Sequence, residues 1–138
     1  MARTIDDVAA HIVDAAVKLH MRVGPGLLES VYEILLAKQL ERRGLAVERQ
    51  KPVDAVIDGI SFEGAFRTDL IVDGVVVVEI KSVSRLSPEH WKQVLTYLRL
   101  LDLRVGFLLN FGAATMKDGI RRIANGHVDL APRRLGVK

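Results

Sequence analysis

The segment Asp69 to Val83, DLIVDGVVVVEIKSV, limits the fold more than any other part of the chain. The consecutive valines 75–78 leave no polar side for water. A strand of this kind needs cover on both faces, as in a sheet with helices above and below it. The same strand then runs into Glu79 and Lys81, which lie two apart and therefore share a face. Asp69 precedes them across the Asp73-Gly74 turn, and Asp-Gly between β-prone runs is a strong hairpin signal. Three charges thus gather where an apolar run ends, the usual position of ligand sites in open α/β sheets. The plainer alternative is an exposed ion pair at a fraying strand end.

The flanking segments supply the cover. Thr4 opens a helix with Asp6 and Asp7 in its first turn, and Ile5, Val8, Ala9, Ile12, Ala16 and Leu19 recur at helical spacing. The VGPG stretch from Val23 to Gly26 stops it. A second helix begins near Leu27, ends at Gly44, and is apolar over much of its circumference, which predicts deep burial. AVERQKPVDAVI and SFEGAFRTDLIV read as strands bounded by Asp58-Gly59 and Asp73-Gly74. Ser87-Pro88-Glu89 starts a third helix reaching about Leu101. RVGFLLNF is a fourth strand, and MKDGIRRIANG is expected to close as a short helix.

The expected order is α-α-β-β-β-α-β-α, an α/β fold with a mixed sheet. Three strands form an antiparallel meander, and a right-handed crossover sets the fourth parallel to the third. All 138 residues are expected to form one domain, with its core at about residues 5–125 and a poorly ordered tail over 127–138.

Composition narrows the function classes. The absence of cysteine removes disulfides and thiolate chemistry and suits a reducing compartment. No apolar run reaches the roughly 20 residues that span a bilayer, so the expected location is the cytoplasm, without membrane contact. A net charge of +3, with clusters at Arg42-Arg43, Arg49-Lys51, Arg121-Arg122 and Arg133-Arg134-Lys138, is compatible with a polyanionic partner. Solvated helix ends would give the same pattern.

Asp69 and Glu79 together offer hard oxygen ligands for a cation such as Mg²⁺, with Mn²⁺ the alternative. Such a cation polarises a phosphate and acidifies a water, which Lys81 could orient or deprotonate. Glu29, in the first turn of the second helix, shares a face with Tyr32. It reads either as a further member of the site or as an acid complementing the helix dipole. On the third helix, His90, Gln93 and Tyr97 flank the apolar stripe Trp91, Val94, Leu95, Leu98 and Leu101, in the manner of a solvent edge.

Taken in order, Gly26-Leu27-Leu28-Glu29-Ser30-Val31-Tyr32, RTDLIV, VVVVEIKSV, HWKQVLTYL, VGFLLNFG and DGIRRI resemble the GxxExxY family, a branch of the PD-(D/E)xK nuclease superfamily. The likeness spans about residues 5–125, with Thr68 where the superfamily name has proline. It implies a restriction-endonuclease-like fold and metal-dependent hydrolysis of DNA or RNA. It further implies that Asp69, Glu79 and Glu29 hold the metal, that Lys81 is the catalytic lysine, and that Gln93 is an active-site helix residue. A homodimer would enlarge the nucleic-acid surface of so small a chain. The alternative is a non-catalytic nucleic-acid-binding or protein-interaction module on the same fold.

One geometric condition attaches to the site. A strict two-residue loop at Asp73-Gly74 would put Asp69 and Glu79 on opposite faces, since a one-residue slip exchanges faces. A bulge or a three-residue loop is therefore expected between them.

Overall fold

The computed structural model describes residues 3–126. The expected tail over 127–138 lies outside the described residues. Helix α1 (Ile5–Val23) starts with a capping box in which the Thr4 hydroxyl accepts from the Asp7 N–H and the Asp7 carboxylate from the Thr4 N–H. Helix α2 (Glu29–Arg42) follows, then β1 (Val47–Ile57), β2 (Ile60–Val72) and β3 (Val76–Lys81). Helix α3 (Pro88–Leu101) crosses to β4 (Val105–Asn110), and a single helical turn α4 (Met116–Gly119) leads into β5 (Ile120–Ala124).

The strands form one sheet in the order β1-β2-β3-β4-β5, with β3–β4 parallel and the other pairs antiparallel. The meander and crossover are as expected, giving the mixed, helix-flanked sheet of a restriction-endonuclease-like α/β fold. The closing segment differs. Only Met116–Gly119 is helical, and Ile120–Ala124 pairs with the open edge of β4 instead.

The helices divide between the two faces of the sheet. On one face, α1 and α2 cover Leu70, Val72, Val76, Val78, Ile80 and Leu109. On the other, Val94 and Leu98 of α3 pack on Ile71, Val77 and Leu108, with Trp91, Leu95 and Leu101 at the margin. Each fully buried Val, Leu or Ile contributes roughly 2 kcal/mol. Residues 76–78 of β3 are buried without exception, which accounts for the run of valines. Helix α2 is less enclosed than its composition implied. Tyr32, Glu33, Leu36, Ala37 and Leu40 are buried, while Leu28, Val31 and Ile34 remain exposed. Among the described residues, no helix is long and apolar enough to cross a membrane.

Candidate active site

The β2–β3 hairpin resolves the question of faces. Asp73 and Gly74 take φ of 51° and 69°, and the Val75 N–H bonds back to the Val72 carbonyl at 3.0 Å. Pairing then begins one residue late, as Val72–Val76, Ile71–Val77 and Leu70–Val78. Val75 is the extra residue in a three-residue loop. Continued by one step, this register sets Asp69 opposite Glu79, on the face of Ile71 and Val77.

The regular backbone pairing stops there, and side chains replace it. The Asp69 N–H donates to Glu79 Oε2 at 2.7 Å, and the Ile80 N–H donates to Asp69 Oδ2 at 2.8 Å. Each carboxylate thus spends one oxygen on the partner strand. Among the described residues, Glu79 Oε1 has no hydrogen bond, and Asp69 Oδ1 has only the Gln50 amide at 3.3 Å. Glu79 is 4% exposed. Burial first, and then the Asp69 charge, push its carboxyl up to about 8, against smaller opposing pulls from the Asp69 N–H bond and then from Lys81. Lys81 is half-buried and forms no ion pair among the described residues.

The exit of β3 is braced just beyond Lys81. The Phe111 N–H donates to the Lys81 carbonyl at 2.8 Å, and Asn110 bonds both backbone groups of Val83. A Cβ at Gly112 would lie 2.3 Å from the Val83 carbonyl oxygen, so only glycine allows this approach.

The Gly26-to-Tyr32 stretch acquires a physical sense on the other side. Tyr32 is fully buried and stacks on Phe111 at 4.4 Å. Its hydroxyl donates to the Gly24 carbonyl at 2.6 Å and accepts from the Leu27 N–H at 3.1 Å. The loop held in this way delivers the Leu27 carbonyl to the Ser82 hydroxyl at 2.7 Å and Glu29 Oε2 to the Ser82 N–H at 3.2 Å. Glu29 is exposed and lies beside the residue following Lys81.

The helix acid whose charge reaches the Asp69–Glu79 pair is Glu33, one turn further along α2. Glu33 is 4% exposed, paired with Arg49 at 2.9 Å and bonded by the Gln50 amide at 2.6 Å. Burial and the Asp69 charge raise its carboxyl. Tyr97 also belongs to this region rather than to a bare solvent edge. It stacks on Phe66 at 4.3 Å, and its phenol is raised by burial and by the charges of Glu79 and Asp69. Gln93 is exposed, with no hydrogen bond or ion pair tying it to the acids among the described residues. His90 serves the α3 cap, where its Nδ1 accepts from the Ser87 N–H at 3.1 Å.

The sequence reading missed Glu33 and Gln50 and undervalued Tyr97. It also left Arg49 among general basic clusters, whereas Arg49, Lys51 and Arg43 pair with Glu33, Glu48 and Asp14.

Carboxylate oxygens are the donors a hard divalent cation prefers, and the carboxylates of Asp69 and Glu79 are each bonded to a backbone N–H of the other's strand at this point. Burial and the Asp69 charge disfavour the Glu79 carboxylate, and a bound cation would favour it. Among the described residues, however, no group of three or more His, Asp or Glu is arranged to hold a metal unaided. Water or a substrate phosphate would have to complete the coordination.

No curated protein and no solved structure matches the chain. A family model described as the PD-(D/E)XK nuclease superfamily matches residues 6–123. The matched span holds the acidic strand, the Glu-x-Lys strand and the helices on both faces, and the chain belongs to the PD-(D/E)XK nuclease superfamily.

Proposed function

We propose that the protein is a single-domain phosphodiesterase of the GxxExxY branch that cleaves nucleic acid with the help of a divalent cation, Mg²⁺ in the first instance. The observation that carries this reading is the bonding at the end of β3, where the Asp69 N–H donates to Glu79 Oε2 and the Ile80 N–H donates to Asp69 Oδ2, so that each carboxylate keeps its second oxygen outside the strand pairing, with Lys81 next along β3. Asp69 and Glu79 would hold the cation. When bound, it supplies positive charge to a phosphate oxygen and acidity to a water.

The chain's own residues do the rest. Lys81, whose carbonyl is held by the Phe111 N–H, orients the attacking water or takes its proton. Glu29, exposed and accepting from the Ser82 N–H, would take a further part in holding the cation through a water. The Phe66–Tyr97 pair excludes solvent on the α3 side and concentrates the field of the charges. Gln93, exposed on the same helix, is available to substrate rather than to the acids.

Single-turnover cleavage of labelled single-stranded, duplex and branched DNA, and of RNA, tests the proposal. The parent should cut with Mg²⁺ and stop with a chelator. Lys81→Met should bind Mg²⁺ as before but cut about 10²-fold more slowly, the scale of losing a positioned acid–base group. Glu79→Ala should lose both cleavage and Mg²⁺ affinity. A Lys81→Met protein that cuts at the parent's rate would remove the lysine from the chemistry.

A further inference from the structure

Four non-glycine residues among those described hold a positive φ: Gln50, Asp58, Asp73 and Asp102. Three are aspartates where the chain turns, two in the hairpin loops and Asp102 at the C-cap of α3. Aspartate tolerates this conformation better than most residues. Gln50 differs on both counts. It has no such tolerance, and it lies within β1 at φ 52°, between the regular pairs Arg49–Leu70 and Lys51–Thr68. A strained backbone persists only where its surroundings over-determine it, and such positions cluster at functional sites.

The strained conformation delivers an amide. Gln50 Nε2 lies 2.6 Å from Glu33 Oε1 and 3.3 Å from Asp69 Oδ1. Its anchor is firm, because buried Glu33 is gripped on its other oxygen by Arg49 Nε at 3.1 Å and Nη2 at 2.9 Å. Asp69 Oδ2 is already fixed by the Ile80 N–H. With Gln50 on Oδ1, both oxygens of Asp69 are oriented. A strand-edge residue with a merely structural duty would need neither the strained φ nor the reach between two carboxylates.

We infer that Gln50 is a positioning residue for Asp69, a planar amide braced on the Glu33–Arg49 pair that sets the rotation of the Asp69 carboxylate. The inference rests on the reading of Asp69 and Glu79 as the cation-holding pair. It extends that reading to a supporting layer in which α2 and β1 govern a ligand on β2. Outer partners of this kind typically change metal affinity by about 10- to 100-fold.

Gln50→Ala and Gln50→Gly test it together, because both delete the amide and only glycine relieves the positive φ. Glycine should melt higher than alanine by on the order of 4 °C. In the metal-free protein, followed by amide exchange in NMR, both variants should exchange the Ile80 N–H about tenfold faster than the parent. Leu108, in the central strand β4, should keep its rate. Titrated with Mg²⁺ alone, both should bind about 10- to 100-fold more weakly. Parent-like Ile80 exchange in both variants would overturn the inference. So would a glycine variant with parent-like exchange and affinity, since backbone geometry rather than the amide would then be at work. If the parent itself binds no Mg²⁺, the cation reading falls, and the Ile80 comparison still decides the role of Gln50.

Discussion

Replacing Glu79 by glutamine should stabilise the metal-free protein at alkaline pH while destroying its capacity to hold a cation. Burial and the neighbouring Asp69 raise the Glu79 carboxyl from 4.5 to about 8 in the folded state. Between those values the native protein keeps a proton that the unfolded chain has released. The unfolded state therefore binds fewer protons, and stability falls as pH rises through that window. A tenfold change in proton affinity corresponds to about 1.4 kcal/mol, so the ceiling is about 5 kcal/mol. Melting curves from about pH 6 to about pH 9 sample somewhat more than half of it, about 3 kcal/mol, or a fall of about 10 °C for a chain of this length. Glutamine keeps an oxygen to accept the Asp69 N–H and carries no charge, so its profile should be much flatter and lie above the parent's at the alkaline end. Glu33 shifts in the same direction, which leaves the variant a small residual slope. Saturating Mg²⁺ should flatten the parent's profile too, because a cation favours the carboxylate. The assay is scanning calorimetry of both proteins across the pH series, with and without Mg²⁺. A parent whose melting temperature does not change over this range, or a variant with the parent's full slope, would refute the reasoning.

Other expectations follow from single contacts. Tyr32→Phe removes the hydroxyl that holds Gly24 and Leu27, so denaturant unfolding should show a loss of about 1–3 kcal/mol, with slower cleavage as Glu29 and Ser82 loosen. Thr68 is fully buried, and its hydroxyl has no hydrogen bond among the described residues; Thr68→Val should therefore gain about 1 kcal/mol in the same assay. Arg121 and Arg122 lie over the rings of Trp91 and Phe107, at 5.2 and 5.9 Å. If they track a phosphate backbone, replacing both with alanine should make the log–log dependence of nucleic-acid affinity on salt shallower by about 2, measured by fluorescence anisotropy. An unchanged slope would place the backbone elsewhere.

Much of the fold was legible because local signals agreed with tertiary need. The Thr4 cap, the apolar period of α1, the two Asp-Gly turns and Ser87-Pro88 each mark an element boundary through backbone chemistry confined to a few residues. Even the three-residue loop was deducible, since Asp69 and Glu79 share a face only if one residue is spare. What stayed hidden depends on distant partners. Glu33 looks like a solvated helix acid until Arg49 and Gln50, from β1, close over it. Gln50 carries no local mark of a positive φ, because glutamine has no preference for that region. IRRIA lacks a strand's alternation, and its extended form comes from pairing with the unfilled edge of β4. The exposed apolar side of α2 misled in the opposite sense, since composition reports how much of a helix is apolar but not how much is covered.

The central claim is that Asp69 and Glu79 jointly hold a divalent cation at the end of β3. Crystals soaked in Mn²⁺ and measured at its absorption edge test this most directly, because the anomalous signal locates the ion without reference to activity. The account predicts one peak within about 2.2 Å of a carboxylate oxygen from each of Asp69 and Glu79, the usual distance for such ligands. The peak should be absent from Glu79→Gln crystals treated identically. A well-ordered parent crystal with no peak between the two carboxylates, or with its peak at another group of acids, would contradict the account.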